Sequence, residues 1–217
     1  SWSCMMNNPL LFLSPIKKKS ECKSGYHRYS HRCGIALLKK AFSNLGKEIS
    51  ENDILMSEKG KPYIDGSKIF FNISHCDGLA VCVLSDKPVG VDCESVRKAS
   101  TAVMKKCFGK NEADYINNCE NRNNAFTRIW TLKESYVKMT GEGVSSSLTD
   151  KCFDIDEGRA LFESGAEFIL YDFLLDEEQY FISVSFVTDD KKRENSIEKP
   201  FFDIDNEHIL LYNVSDN

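Results

Sequence analysis

Three short apolar runs, residues 69–74, 79–85 and 88–94, follow one another with only His75-Cys76-Asp77-Gly78 and Asp86-Lys87 between them. Connections this short leave no room for a helical crossover, so the spacing predicts three antiparallel neighbours. A helix is expected before them over 26–45, because Ile35, Leu37, Leu38, Ala41, Phe42 and Leu45 recur at helical spacing and Gly46 can cap its end. After them, residues 100–141 read as helical, broken near Gly109 and around 117–124, with Asn123 or Asn124 capping the last helix. Two β-rich runs close the pattern, 168–175 and 180–187, joined by Asp176-Glu177-Glu178-Gln179. Helix, strands, helices, strands is an α+β order, and it suggests two similar halves meeting near residue 97. The charged tail from Asp189 is expected to be loose at first, with Phe201, Phe202, Ile209, Leu210 and Leu211 able to dock.

Composition narrows the class. The chain has 217 residues, 41% hydrophobic and 11% aromatic, which is enough to bury a core and too apolar for a disordered chain. Twelve Gly and five Pro exclude a collagen-like sequence. A net charge of −5 argues against a dedicated nucleic-acid binder. The nine cysteines are odd in number and contain no C-x-x-C, so they read as buried apolar residues in a reducing, cytoplasmic setting rather than as a disulfide or zinc framework. The apolar run 10–13 precedes Lys17, Lys18 and Lys19, the reverse of a secretory signal. No run approaches the roughly 20 residues of a membrane span.

Four segments carry chemistry. In Gly90-Val91-Asp92-Cys93-Glu94 the two carboxylates share one face of a strand, while Val89 and Val91 point to the opposite face, into a core. Paired carboxylates suit Mg²⁺, with its oxygen ligands and positions left for water and phosphate; a strand end passing into solvent is the plainer reading. In Trp130-Thr131-Leu132-Lys133-Glu134-Ser135-Tyr136-Val137-Lys138, residues 130, 134 and 138 stack along one helical stripe. Glu134 and Lys138 are there either an ordinary surface ion pair or a metal- or proton-binding carboxylate beside a phosphate-neutralising ammonium. In Phe70-Phe71-Asn72-Ile73-Ser74-His75 a strand ends in a hydroxyl and an imidazole, fit for a phosphate or for a structural role. Finally, Lys17, Lys18, Lys19 and Arg28 form a basic cluster, and Gly60-Lys61-Pro62 a tight loop with one cation; a lysine run is usually a solvated face.

G-K-P, F-N-I-S-H, V-G-V-D-C-E and W-T-L-K-E-S-Y-V-K followed by G-E-G, in that order, resemble the 4'-phosphopantetheinyl transferases of the surfactin-synthetase-activating type, over about residues 12–148. The resemblance implies a monomer of two similar α/β halves with the site in the cleft between them: residues 12–97, residues 98–190, and a tail over 191–217. It implies transfer of the phosphopantetheine arm of coenzyme A to a serine of an apo acyl or peptidyl carrier protein, with Mg²⁺ (or Mn²⁺) and release of 3',5'-ADP. Asp92 and Glu94 then match the metal-binding D-x-E. Glu134 matches the K-E-S glutamate that reaches the metal and is a candidate base. Lys138, Ser74 and His75 match phosphate contacts, and Gly60, Lys61 and Pro62 the loop beside the adenine. Lys17, Lys18 or Lys19, with Arg28, match the residues that meet the 3'-phosphate. The chain departs from the family at Cys93, usually a larger apolar residue. It also has little sequence before Phe12, so the first sheet is expected to lack an edge strand or the chain to be a shortened form. Arg97, Lys98, Lys105, Lys106 and Lys110, with Val103, Met104 and Phe108, offer a mixed basic and apolar surface for an acidic carrier. The competing readings are another Mg²⁺-dependent phosphotransferase or phosphohydrolase, and a non-catalytic coenzyme A- or carrier-binding protein with the same fold.

Overall fold

The computed structural model describes residues 8–143, 148–200, 202 and 209–214. The main elements are strand β1 (Leu10–Pro15), helix α1 (Tyr26–Asn44), the small hairpin β2 (Leu55–Met56) and β3 (Pro62–Tyr63), then strands β4 (Phe70–Cys76), β5 (Leu79–Ser85) and β6 (Val89–Ser95). Helices α2 (Thr101–Cys107), α3 (Lys110–Asn118) and α4 (Arg122–Thr140) follow. The short pair β7 (Phe153–Asp154) and β8 (Arg159–Ala160) leads to the long strands β9 (Ala166–Leu175) and β10 (Glu178–Val187). Two short strands, β11 (Ile197–Glu198) and β12 (Ile209–Leu211), come last. The fold is α+β, two sheets each backed by helix.

One expectation is corrected at the meander. β4 and β5 pair antiparallel as their short turn requires, but β6 leaves that sheet and pairs antiparallel with β10. The first sheet has the order β12-β1-β5-β4 and the second β11-β9-β10-β6. The chain thus changes sheet at Asp86–Pro88, and the D-x-E strand sits at the edge of the second sheet. In the tail, Ile209, Leu210 and Leu211 dock as the sequence allows, as β12 parallel beside β1, while the stretch expected to be loose includes β11, parallel beside β9. The edge of the first sheet that seemed to lack a strand is covered from the far end of the chain. Phe202 stacks on Phe173, with ring centroids 4.0 Å apart, while Phe201 lies outside the described residues. The last helix is capped by Asn121, whose side chain accepts from the Asn124 N–H, rather than by Asn123 or Asn124.

Strand alternation explains the layers. Leu11, Leu13, Leu79, Val81 and Val83 of the first sheet meet Val89, Val91, Cys93, Ile182 and Val184 of the second in one core. The opposite face of the first sheet, through Phe12, Ala80, Cys82 and Leu84, packs on Leu37, Leu38, Ala41 and Phe42 of α1. The other face of the second sheet takes α4, and here the contact is close and polar. Thr131 and Ser135 meet Ser183 and Ser185 through hydroxyl pairs of 2.8 and 2.6 Å. Gly90 is what permits this approach: a Cβ there would stand 2.1 Å from the Ser135 carbonyl oxygen and 2.3 Å from the Met139 nitrogen, both backbone. Gly90→Ala should therefore push α4 off β6 and cost about 1–3 kcal/mol, the usual penalty for overpacking. Urea unfolding measures the loss, and an unchanged midpoint would show that the helix can shift freely.

Candidate active site

The two sheets meet edge to edge where β4 runs beside β6. Asn72 Oδ1 accepts the Val91 N–H at 2.9 Å, and two residues further on the Ser74 hydroxyl donates to Asp92 Oδ1 at 3.0 Å. Across this seam α4 delivers Lys138, whose ammonium lies 2.5 Å from Asp92 Oδ1 and 3.1 Å from Ser74 Oγ. The expected i,i+4 attraction to Glu134 loses to Asp92: burial works against the ammonium, but Asp92 outweighs it and holds Lys138 above the usual lysine range. Glu94, on the same face of β6, pairs with Arg97 at 2.8 Å. Val89 and Val91 point into the inter-sheet core as the alternation requires.

The three carboxylates are costly to keep together. Burial, and then the charge of Asp92, pushes Glu94 up to about 7. The same two causes, in the same order, raise Glu134. Asp92 Oδ2 is buried without a hydrogen-bond partner among the described residues. Such an atom costs free energy unless something positive meets it. Three carboxylates with an orphaned oxygen are, by chemistry, a donor set that a divalent cation suits. The side chains do not converge on a common point: among the described residues no three His, Cys, Asp or Glu are grouped tightly enough to hold a metal ion. Lys138 and Arg97 occupy Asp92 and Glu94 instead.

A cavity of about 530 Å³ opens over this seam and is lined by His31, His75, Asp92, Glu94, Lys138 and the loop residues Gly60 and Pro62, among others. It brings together Ser74, His75, Asp92, Glu94 and Lys138 from distant stretches of sequence. Glu134 stands one helical turn before Lys138, half-buried, and is not a lining residue. Lys61 turns away: its ammonium donates to the carbonyls of Met139 at 2.7 Å and Val89 at 3.3 Å, and burial lowers it to about 8. It ties the hairpin loop to β6 and α4. Lys17, Lys18 and Arg28 do not line the cavity; Lys18 pairs with Glu178 at 2.5 Å and Arg28 is exposed on α1.

Sequence reasoning missed His27 and His31. They lie one turn apart on α1, and the His27 ring meets His75 edge-on at 5.9 Å between centroids. Burial first, then His27, His31 and Lys138, lower the His75 pKa. The H-x-x-x-H spacing was the available signal, overlooked because α1 was read by its apolar side. Trp130 does not wall the cavity; it stacks with Phe126 and Phe108 and carries Arg97 over its ring at 4.9 Å. The expected carrier surface is also revised, because Met104 and Phe108 are core residues while Lys98, Lys105, Lys106 and Lys110 are exposed.

The raised Glu94 makes stability pH-dependent. A carboxyl that binds its proton more tightly in the fold than in the unfolded chain stabilises below its unfolded value of 4.5 and loses that contribution as pH rises through about 7. In chelator-treated protein, Glu94→Gln should therefore gain on the wild type by about 1–3 kcal/mol between pH 4.5 and pH 8. Urea unfolding at both pH values measures the gap, and a gap that does not widen with pH contradicts the assignment.

Comparison with known proteins gives this geometry a family. Residues 88–194, from β6 through α4 to just past β10, match the family model described as the 4'-phosphopantetheinyl transferase superfamily. The chain is 32% identical over 145 residues to the 4'-phosphopantetheinyl transferase Sfp of Bacillus subtilis (strain 168), covering 63% of this chain and 64% of that protein. It is 33% identical to the 4'-phosphopantetheinyl transferase gsp of Aneurinibacillus migulanus, over 54% of this chain and 50% of that one. The match thus spans between half and just under two thirds of these relatives' lengths. Among solved structures, the holo-[acyl-carrier-protein] synthase of Thermotoga maritima overlaps 46% of this chain and 64% of its own, at 21% identity and a TM-score of 0.36, a likeness too slight to argue from. The family match covers the D-x-E strand and the K-E-S helix that build the seam, and over these elements the chain is similar to the 4'-phosphopantetheinyl transferase superfamily.

Proposed function

We propose that the protein is a 4'-phosphopantetheinyl transferase, moving the phosphopantetheine arm of coenzyme A to a serine of an apo acyl or peptidyl carrier protein. The observation that carries this reading is the Ser74–Asp92–Lys138 contact in the lining of the cavity. In it the Lys138 ammonium sits beside the first carboxylate of the D-x-E strand, whose other oxygen is unpartnered among the described residues, which supports a phosphate-neutralising role. In this reading the protein works in the cytoplasm as a monomer, with its site between the halves 12–97 and 98–190 and a tail over 191–217.

Asp92, Glu94 and Glu134 would hold Mg²⁺, or Mn²⁺ in its place, which when bound supplies positive charge to the coenzyme A pyrophosphate and its leaving group. Lys138 neutralises the phosphates from the other side, with Ser74 and His75 as further contacts. Gly60 and Pro62 bound the adenine end, with Lys61 fixing their loop from behind, and Lys17, Lys18 or Arg28 would meet the 3'-phosphate from outside the cavity. The carrier serine oxygen forms its bond to the β-phosphorus, the pyrophosphate P–O bond breaks, and 3',5'-ADP leaves. Glu134, raised by burial, takes the serine proton directly or through water. A carboxylate is a weak base for a serine, so positioning and charge stabilisation provide most of the acceleration.

Incubation with coenzyme A, Mg²⁺ and a panel of apo carrier proteins should add one phosphopantetheine mass to at least one carrier. Asp92→Ala and Glu134→Ala should abolish the shift while circular dichroism stays native. Transfer at the wild-type rate in either variant, or no shift on any carrier, rejects the reading. Lys105 and Lys106, exposed at the end of α2, should meet the acidic carrier. Reversing both to Glu should raise the carrier KM several-fold more than the coenzyme A KM; an equal change in both would remove α2 from the docking face.

A further inference from the structure

Arg97 belongs neither to the D-x-E strand nor to the K-E-S helix, yet it touches both. Its backbone N–H is fixed by Thr127 Oγ1 at 2.9 Å, so the root of the side chain is anchored to α4. Its guanidinium has two partners: Glu94 at 2.8 Å, and the Trp130 ring at 4.9 Å. Trp130 is itself held flat against Phe126 and Phe108, so the indole is a fixed platform. The Arg97 side chain is 41% exposed and Glu94 only 22%, so the arginine can withdraw into water while the carboxylate cannot. The charge of Arg97 also favours the ionised form of Glu134, against burial and Asp92.

We propose that Arg97 is a placeholder cation: its guanidinium balances Glu94 until a divalent metal arrives, and the two compete for that carboxylate. This rests on the reading of Asp92, Glu94 and Glu134 as metal-holding carboxylates. A guanidinium and a divalent cation on one carboxylate repel at contact distance, where little water screens them. The indole gives the displaced guanidinium a resting place that keeps its cation–π contact, so its release does not strand a charge. Lys138 does the equivalent at Asp92, but from within the phosphate-binding machinery; Arg97 is free of that duty.

The competition is read as metal affinity, independent of turnover. Mn²⁺ titration of the full chain, with free Mn²⁺ followed by electron paramagnetic resonance, should show Arg97→Gln binding about fivefold more tightly than wild type, the factor expected for losing a partly exposed ion-pair competitor. Arg97→Lys should stay near wild type. In a Trp2→Phe background, Mg²⁺ should shift the Trp130 emission of the wild-type side chain as the guanidinium moves on the ring, and should leave Arg97→Gln unchanged. Equal or weaker Mn²⁺ binding by Arg97→Gln, or a Trp130 emission that ignores Mg²⁺ in protein shown to bind it, overturns the placeholder role. Failure of the wild type to bind Mn²⁺ at all would instead remove the metal reading beneath it.

Discussion

The contact between Lys138, Asp92 and Ser74 is the point on which the rest of the structure turns. It joins one residue from each of α4, β6 and β4, and so it pins the helix of the second sheet across the edges of both sheets. Geometry elsewhere serves it. Gly90 removes the Cβ that would hold α4 away, and Thr131, Ser135, Ser183 and Ser185 replace the large apolar residues that would normally space a helix from a sheet. Lys61 then staples the hairpin loop to the same junction through the Val89 and Met139 carbonyls. A partly buried ion pair is weak evidence for stability, since desolvation takes back much of the attraction. Its placement here is better understood through what it leaves unsatisfied.

The same helix carries a second pair that makes the contrast plain. Lys133 and Glu112 are fully buried, 2.8 Å apart. Lys133 spends its other two protons on the carbonyls of Leu148 and Lys151, and Glu112 accepts the N–H groups of Gly109 and Phe153. Every donor on the ammonium is used, and both carboxylate oxygens are met. That is the signature of a structural tie, holding the segment after α4 against α3. At Asp92 the accounting does not close: Oδ2 is buried and unmet among the described residues, and the neighbouring carboxylates are raised by burial and by Asp92 itself. Two lysines five residues apart on one helix thus separate into scaffold and site by hydrogen-bond completeness alone.

Local pattern made much of this legible. The spans of α1 and α4, the break at Gly109, the shared face of Asp92 and Glu94 and the burial of Val89 and Val91 all follow from periodicity and turn residues. Partner choice did not follow. A two-residue link between the second and third runs is equally satisfied by a hairpin or by a step into another sheet, and only the long-range pairing of β6 with β10 decides between them. In the tail the apolar residues that dock are legible but their partner is not, because three residues of strand at 209–211 gain their stability from β1 rather than from their own sequence. Lys138 was placed on the right helical stripe, but its preference for Asp92 over Glu134 depends on how closely α4 approaches β6, and that is set by a single glycine.

The charge of the site follows from this closeness. Among the described residues the cations acting on the carboxylates of Asp92, Glu94 and Glu134 are Lys138 and Arg97, which leaves an excess of negative charge, and burial first and then Asp92 raise Glu94 and Glu134. A pyrophosphate would be repelled by that arrangement. In the proposed metal reading, one divalent cation would reverse the sign and would compete with Lys138 and Arg97 for the carboxylates they balance. The net charge of −5 over the whole chain therefore says little about which ligands the protein can hold. What matters locally is that both cations at the seam are paired with carboxylates; if a metal took those carboxylates, loading them and preparing the site for an anion would be one event.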